Sequence, residues 1–208
     1  MLETVPFPTG TVEVTLDGAG IPSYEIRQGV AWDNIPFTPQ IEELARHTRA
    51  ACFGSLAQRS PVSHRTIGRF LETMPDGEGQ YKVFDINLRQ HFYTQQVVEE
   101  SLRKCNILKI NDEELAVVGS MFGLEGMQPG EQCRTLLDRY GLRIVILTCG
   151  AAGSSVFAPD TRSYIPTPRV EVADTVGAGD SFTASFLAAL LSGLGIGEAH
   201  RLAVDVAA

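Results

Sequence analysis

With 208 residues, 44% of them hydrophobic and 20% charged, the chain is long enough to bury a substantial core and has the make-up of an ordinary soluble globule, one domain plus an appendage. A formal net charge of −8 leaves no broad basic field to neutralise a phosphate backbone, which excludes nucleic acid as a natural partner. The opening Met1-Leu2-Glu3-Thr4 lacks the basic start and apolar core of a secretion signal, and the most apolar predicted helix, Phe182 to Ile196, is shorter than a membrane span and reads as a buried helix, so no membrane association and a cytoplasmic location are expected.

Residues 1–36 differ in character from the remainder of the chain. Thr11 to Leu16 alternates polar and apolar, Asp17-Gly18-Ala19-Gly20 is turn material, and Ser23 to Arg27 alternates again, which predicts a hairpin. Two strands alone are marginally stable, so the hairpin needs further strands or another chain. An edge hairpin of one large sheet and a separate appendage both satisfy the pattern. Over residues 37–208 helix and strand alternate. Thr38 caps a helix to about Arg46, Ala50 to Phe53 is a short apolar strand, Pro61 opens a helix to about Thr73, and Tyr81 to Ile86 is a strand. Helices are expected at Thr94 to Lys104, Asp112 to Val118 and Gly130 to Tyr140, and strands at Cys105 to Ile110 and Arg143 to Thr148. Ser154 to Phe157 and Ser163 to Ile165 predict a second hairpin. Arg169 to Ala173 has a β-type pattern and feeds through Gly177-Ala178-Gly179, a tight turn, into an apolar helix from Ser181. Near-continuous apolar strands such as Ile144-Val145-Ile146-Leu147, separated by helices, predict an α/β fold with a mostly parallel sheet covered on both faces. Cys52, Cys105, Cys133 and Cys149 have no CxxC spacing, so reduced thiols in the core are expected, and the four histidines form no ligand pair for a metal.

In such sheets ligands gather at the carboxyl ends of strands, and polar residues follow the apolar strands here. Tyr81 to Phe84 leads into Asp85-Ile86-Asn87-Leu88-Arg89, whose alternate residues share a face while the chain stays extended. Arg89 then offers a fork of donors to phosphate oxygens and Asn87 an amide; an ion pair between Asp85 and Arg89 is the structural alternative. Asn111 and Glu114 have the spacing of a capping box. Thr148, Gly150 and Gly153 belong to glycine-bearing turn material before the second hairpin. Gly177, Ala178 and Gly179 put small residues at the unpaired N–H groups of a helix start, which suits an anion. Asp180 would repel a resting anion there unless it takes a proton from an attacking hydroxyl; capping the helix is its plainer role. Glycines with one acid point to phosphoryl transfer. No GxxxxGK[ST] occurs, and Phe182 stands where a dinucleotide fingerprint has its third glycine, which argues against P-loop and dehydrogenase chemistry.

The run DTVGAGDSFTASFLAALL, from Asp174 to Leu191, closely resembles the second signature of the PfkB (ribokinase-like) family of carbohydrate kinases. FDINLRQ resembles a stretch of its fructokinase-like members, and Pro8 to Thr11 followed by Val30 to Asp33 resembles their lid passage. The resemblance implies a ribokinase-like α/β fold, with residues 1–36 a partial β-lid and 37–208 an incomplete nucleotide- and phosphate-binding core. ATP is the implied phosphoryl donor, and the acceptor a primary sugar hydroxyl, fructose first, with 2-keto-3-deoxygluconate, ribose or a nucleoside as alternatives. Asp180 is implied as the base, Gly177, Ala178 and Gly179 as the anion hole, Asp85, Asn87 and Arg89 as phosphate and substrate contacts, and Thr148, Gly150 and Gly153 as ATP contacts. Asn111 and Glu114 match an N-x-x-E motif acting on magnesium through water, and Asp174 a monovalent-cation site, for potassium. A homodimer through the lid is implied as well. Family members carry a first strand, an acidic sugar contact and a Gly-Gly-Asn-type motif before the lid passage, and further residues after the last helix. Their absence here raises a second expectation, a non-catalytic binding or assembly fragment with an uncovered apolar edge near Phe53 that self-associates.

Overall fold

A computed structural model describes residues 4–16, 18, 22–168 and 177–208. Strands β1 (Val12–Leu16) and β2 (Pro22–Ile26) form the expected hairpin, with Val12 opposite Ile26 and Val14 opposite Tyr24, and they make a two-stranded sheet of their own. Among the described residues the other six strands are β3 (Ala50–Phe53), β4 (Tyr81–Asp85), β5 (Ile107–Asn111), β6 (Ile144–Thr148), β7 (Ser154–Ala158) and β8 (Thr161–Ile165). They lie side by side in sequence order, β3 to β6 parallel and β7 and β8 antiparallel, so β3 is an outer strand as expected near Phe53. The helices are α1 (Pro39–His47), α2 (Pro61–Thr73), α3 (Gln95–Lys104), α4 (Asp112–Met121), α5 (Pro129–Tyr140), α6 (Ala178–Leu191) and α7 (Ile196–Ala207). This is the ribokinase-like α/β arrangement.

Local chemistry sets the boundaries. The hydroxyl of Thr38 accepts from Ile41 N at 3.3 Å and that of Thr94 from Val97 N at 3.2 Å, each filling one of the open donors of a helix start. Arg46 and His47 end α1 and Arg103 and Lys104 end α3, where basic side chains suit the negative end of the helix dipole.

The pleat sorts side chains of the parallel strands to two faces. On one, Phe84, Leu108, Ile110, Val145 and Leu147 pack with Val98 and Leu102 of α3, Leu115 of α4 and Leu136 of α5. On the other, Val83, Ile107, Ile144, Ile146 and Val156 pack with Phe182 and Phe186 of α6 and Ala199 and Ala203 of α7. Each such aliphatic or aromatic side chain, fully buried, contributes about 1.5–3 kcal/mol.

Two expectations need correction. The apolar stretch from Phe182 to Ile196 is not one helix: α6 ends at Leu191, the chain turns at Gly193 with φ 84, and α7 begins at Ile196. Cys52 is exposed on β3, whereas Cys105 and Cys133 are buried and Cys149 is half-buried; all four are free thiols. The β-type run Arg169 to Ala173 lies outside the described residues. Among the described residues no helix is long and apolar enough to cross a membrane.

Candidate active site

The carboxyl ends of β4 and β5 meet the N-terminus of α6. Asp85 closes β4, and Lys109 lies opposite it in register on β5. Lys109 Nζ donates to Asp85 Oδ1 at 3.1 Å, and Thr183 Oγ1, one turn into α6, donates to Asp85 Oδ2 at 2.9 Å. All three residues are buried. A buried ammonium is tolerated only with a charged partner, and here that partner is tied in turn to the helix. A Cβ on Gly179 would lie 3.1 Å from Lys109 Nζ, so a side chain there would crowd the ammonium and make it give by a few tenths of an ångström. Cys52 reports on the same spot. Although the residue is exposed on β3, its sulfur is partly surrounded by protein atoms, and that desolvation first, then the negative charges of Asp85 and Asp180, push its thiol up to about 11.

Helix α6 starts earlier than the sequence suggests. Gly177, with φ 84 in the left-handed region, is the residue before it, and Ala178, Gly179 and Asp180 are its first three residues. The small residues read as a turn are thus a helical turn, closed by Ser181 N donating to Gly177 O at 2.8 Å. First-turn N–H groups have no partner within a helix. The anion-suited donors are accordingly those of Ala178, Gly179 and Asp180, and the exposed carboxylate of Asp180 stands at the positive end of the dipole.

Asp85, Asn87 and Arg89 do not share one extended face. Strand β4 ends at Asp85, and Asn87 has φ 47, a left-handed conformation that Asn tolerates better than most residues. Asp85 pairs with Lys109, not Arg89, while Arg89 is exposed with Nη1 donating to Leu88 O at 3.1 Å. The capping box is formed as its spacing predicts: Asn111 Oδ1 accepts from Glu114 N at 2.8 Å and Glu114 Oε2 from Asn111 N at 3.0 Å. Glu114 Oε1 also accepts from Leu88 N at 3.0 Å, which ties the loop after β4 to α4.

Magnesium takes six oxygen ligands and keeps several waters. Among the described residues no three His, Cys, Asp or Glu side chains form a group able to hold a metal ion. Glu114 keeps a lone pair on each carboxylate oxygen after its two backbone bonds, which fits an outer contact to a metal's water rather than direct ligation. Thr148 ends β6, and Gly150 lies in a short 3₁₀ turn, Gly150–Ala152. Gly153 has a packing reason of its own, because a Cβ would lie 2.5 Å from Ile165 O in the β7–β8 hairpin. Asp174 lies outside the described residues.

Lys109 and Thr183 were not among the residues that the sequence singled out. A lysine inside the apolar strand Ile107-Leu108-Lys109-Ile110 was the available signal, since a charge among core residues requires a partner.

Residues 62–208 match the family described as pfkB family carbohydrate kinase. The chain is 31% identical over 160 residues to a fructokinase of Rhizobium leguminosarum bv. trifolii, which covers 74% of this chain and 46% of that protein. It is 25% identical to an uncharacterised sugar kinase of Pyrococcus horikoshii, whose crystal structure superposes with a TM-score of 0.79 over 100% of this chain and 65% of that one. The same Pyrococcus protein in complex with ATP gives a TM-score of 0.77 at 24% identity, over 99% of this chain and 65% of that one. The chain spans about half the length of the curated relatives it matches. With more than half of its residues matched to that family, it belongs to the pfkB family of carbohydrate kinases.

Proposed function

We propose that this chain carries the phosphoryl-transfer part of an ATP-dependent sugar kinase whose acceptor is a primary hydroxyl, fructose being the first candidate. One observation carries this most directly: the exposed Asp180 and the first-turn N–H groups of α6 stand over the buried Lys109–Asp85 pair, which places a base beside a positive field at the strand ends. The sugar O–H passes its proton to the Asp180 carboxylate as its oxygen bonds to the γ-phosphorus; the bond from that phosphorus to the bridging oxygen breaks, and ADP leaves. The N–H groups of Ala178, Gly179 and Asp180, following Gly177, hold the charge that develops on the transferring group. Lys109 sustains the positive potential beneath them, and Asp85 and Thr183 fix its place.

Arg89, exposed and bonded at Nη1 to Leu88 O, forks onto phosphate oxygens through its remaining N–H groups, with Asn87 beside it, and Thr148, Gly150 and Gly153 border the nucleotide. Asn111 and Glu114 would hold magnesium through its water, where the metal would supply positive charge to offset that of the phosphates, and Asp174 would contribute to a potassium site. Residues 1–36 act as a partial β-lid on the core of 37–208. One face of the hairpin shows Val12, Val14 and Tyr24, 54%, 55% and 56% exposed, while Glu13 faces Glu25 on the other. The apolar face suits a second hairpin, which supports a homodimer through the lid. A cytoplasmic location fits four free thiols.

The test is fructose-dependent ADP release by the protein and its Asp180→Asn variant. Turnover is expected to fall at least ~100-fold while MgATP binding by calorimetry persists. An unchanged kcat would remove Asp180 from the mechanism.

A further inference from the structure

Far from the α6 turn, a buried guanidinium joins four segments at the foot of the hairpin. Arg59 ends the short 3₁₀ turn Leu56–Arg59 that follows β3. Its Nε donates to Asp33 Oδ1 at 2.8 Å and its Nη2 to Asp33 Oδ2 at 3.0 Å, a bidentate pair in which both side chains are nearly inaccessible, at 6% and 5%. Nη2 also donates to Arg27 O, just past β2, at 2.6 Å. The guanidinium carbon lies 4.1 Å from the ring centre of Trp32 and 4.5 Å from that of Phe92, so aromatic rings flank it. Phe92 belongs to the loop after β4. Burial pushes the Asp33 carboxyl up, yet the Arg59 hydrogen bond, with those from Val30 and Gly29, holds it below its ordinary value.

The pair is a poor source of stability. Two buried charges recover their desolvation only with full hydrogen bonding, and Arg59 Nη1 is buried with no hydrogen-bond partner among the described residues. Its geometry does fix position. The chain before β1 packs against the same indole: a Cβ on Gly10 would fall 2.0 Å from Trp32 Nε1, and Ala31 N donates to Pro8 O at 2.8 Å. Higher on the hairpin, Gln90 Nε2, also in the loop after β4, donates to Tyr24 O at 2.6 Å. The hairpin is thereby anchored to the loops at the carboxyl ends of β3 and β4, the side on which the candidate active site opens.

We propose that Arg59 is a positioning residue that sets where the β1–β2 hairpin stands over the strand ends, and so shapes the sugar side of the site without touching sugar or phosphate. The sugar consequence rests on the proposed kinase function; the clamp itself does not. Trp32 is the only tryptophan in the chain and reports on the clamp directly. In the 208-residue protein, Arg59→Met and Arg59→Lys are compared with Leu115→Ala, a core change remote from the clamp. Lysine keeps the charge but neither the fork nor the stacking plane. Both Arg59 variants should melt cooperatively, shift Trp32 emission to longer wavelength, and be cut by trypsin after Arg27 at least ~10-fold faster than the parent, as local release of the hairpin requires. Leu115→Ala should lower Tm without either change below its melting range. Wherever sugar turnover is measurable, the Arg59 variants should raise KM for sugar and leave KM for ATP unaltered. Unchanged emission and cleavage in Arg59→Lys, or cleavage after Arg27 that follows global melting in all variants, would overturn the proposal. Loss of hairpin protection without any sugar turnover in the parent would uphold the clamp and count against the kinase reading instead.

Discussion

The two faces of the six-stranded sheet come from the same strands and differ in what they bury. Against α3, α4 and α5 the sheet's buried side chains, Phe84 and Leu147 among them, are apolar apart from Lys82, which pairs with Asp76, and Ser155. Against α6 and α7 the apolar layer is interrupted twice, by Lys109, Asp85 and Thr183 at the start of α6 and by His200 between Ser154 and Ser163 under α7. Apolar burial is non-directional, so the first face fixes where helices lie without fixing their ends to within a fraction of an ångström. Charge-assisted hydrogen bonds are directional, and the second face uses them where the first turn of α6 must be placed. The difference teaches that the chemistry sits on the face that gives up apolar burial for position.

The sharpest way to break this comparison is to remove one partner of the buried pair. Lys109→Met leaves Asp85 charged and unpaired among core residues, which should cost about 3–5 kcal/mol in urea unfolding. The double variant Lys109→Met with Asp85→Asn should recover most of that loss while leaving turnover low, because the buried charge is gone but so is the positive potential under Gly179. Recovery of turnover in the double variant would show that the pair serves packing alone. Leu136→Ala on the apolar face is the matching control: about 3 kcal/mol from the cavity, with kcat of the remaining folded protein unchanged.

How much of this was legible beforehand can be argued from single residues. Thr38, Thr94 and the run Ile144 to Leu147 announced their elements because caps and apolar periodicity are local signals. Asn111 with Glu114 announced the capping box for the same reason. The glycine turn before Asp180 was misplaced since spacing does not reveal whether small residues bend the chain or open a helix; φ 84 at Gly177 alone, followed by helical residues, decides it. The extended Asp85-to-Arg89 face failed at Asn87, whose left-handed φ no alternation pattern records. Lys109 was hidden within an apolar strand, and its meaning depends on Thr183, far along the chain. Arg59 and Trp32 likewise meet only through the fold.

A smaller effect separates the two polar interruptions of the α6–α7 face. His200 is fully buried, bonded at Nε2 to Ser154 Oγ and at Nδ1 to Ser163 Oγ, both at 2.8 Å, and burial drops its pKa from 6.5 to about 4. The folded state therefore binds this proton less readily than the unfolded state. Its contribution is fully present above pH 6.5 and is lost as pH falls from there toward 4, at up to ~1.4 kcal/mol per pH unit. Urea unfolding at several pH values in that window should show a gentler slope for His200→Gln than for the parent, and equal slopes would place the acid sensitivity elsewhere.

The smallest expected change concerns Glu114, which has two roles that one substitution can pull apart. Its Oε1 accepts from Leu88 N and its Oε2 from Asn111 N, so it closes the start of α4 and at the same time holds the loop that carries Asn87 and Arg89. Glu114→Gln keeps the shape but replaces one acceptor oxygen with an NH₂ group, which loses one of these two hydrogen bonds and sets a donor against a backbone donor. A loss of about 1–2 kcal/mol in stability is expected on that ground alone. If the remaining lone pairs of the carboxylate also order a metal's water, the variant will need a higher magnesium concentration for half-maximal nucleotide binding, because a neutral amide holds such water less firmly. A magnesium titration of ATP binding, made alongside the unfolding curves, distinguishes the two. Lower stability with an unaltered magnesium midpoint would confine Glu114 to capping α4 and tethering Leu88; a raised midpoint at similar stability would assign it to the phosphate site.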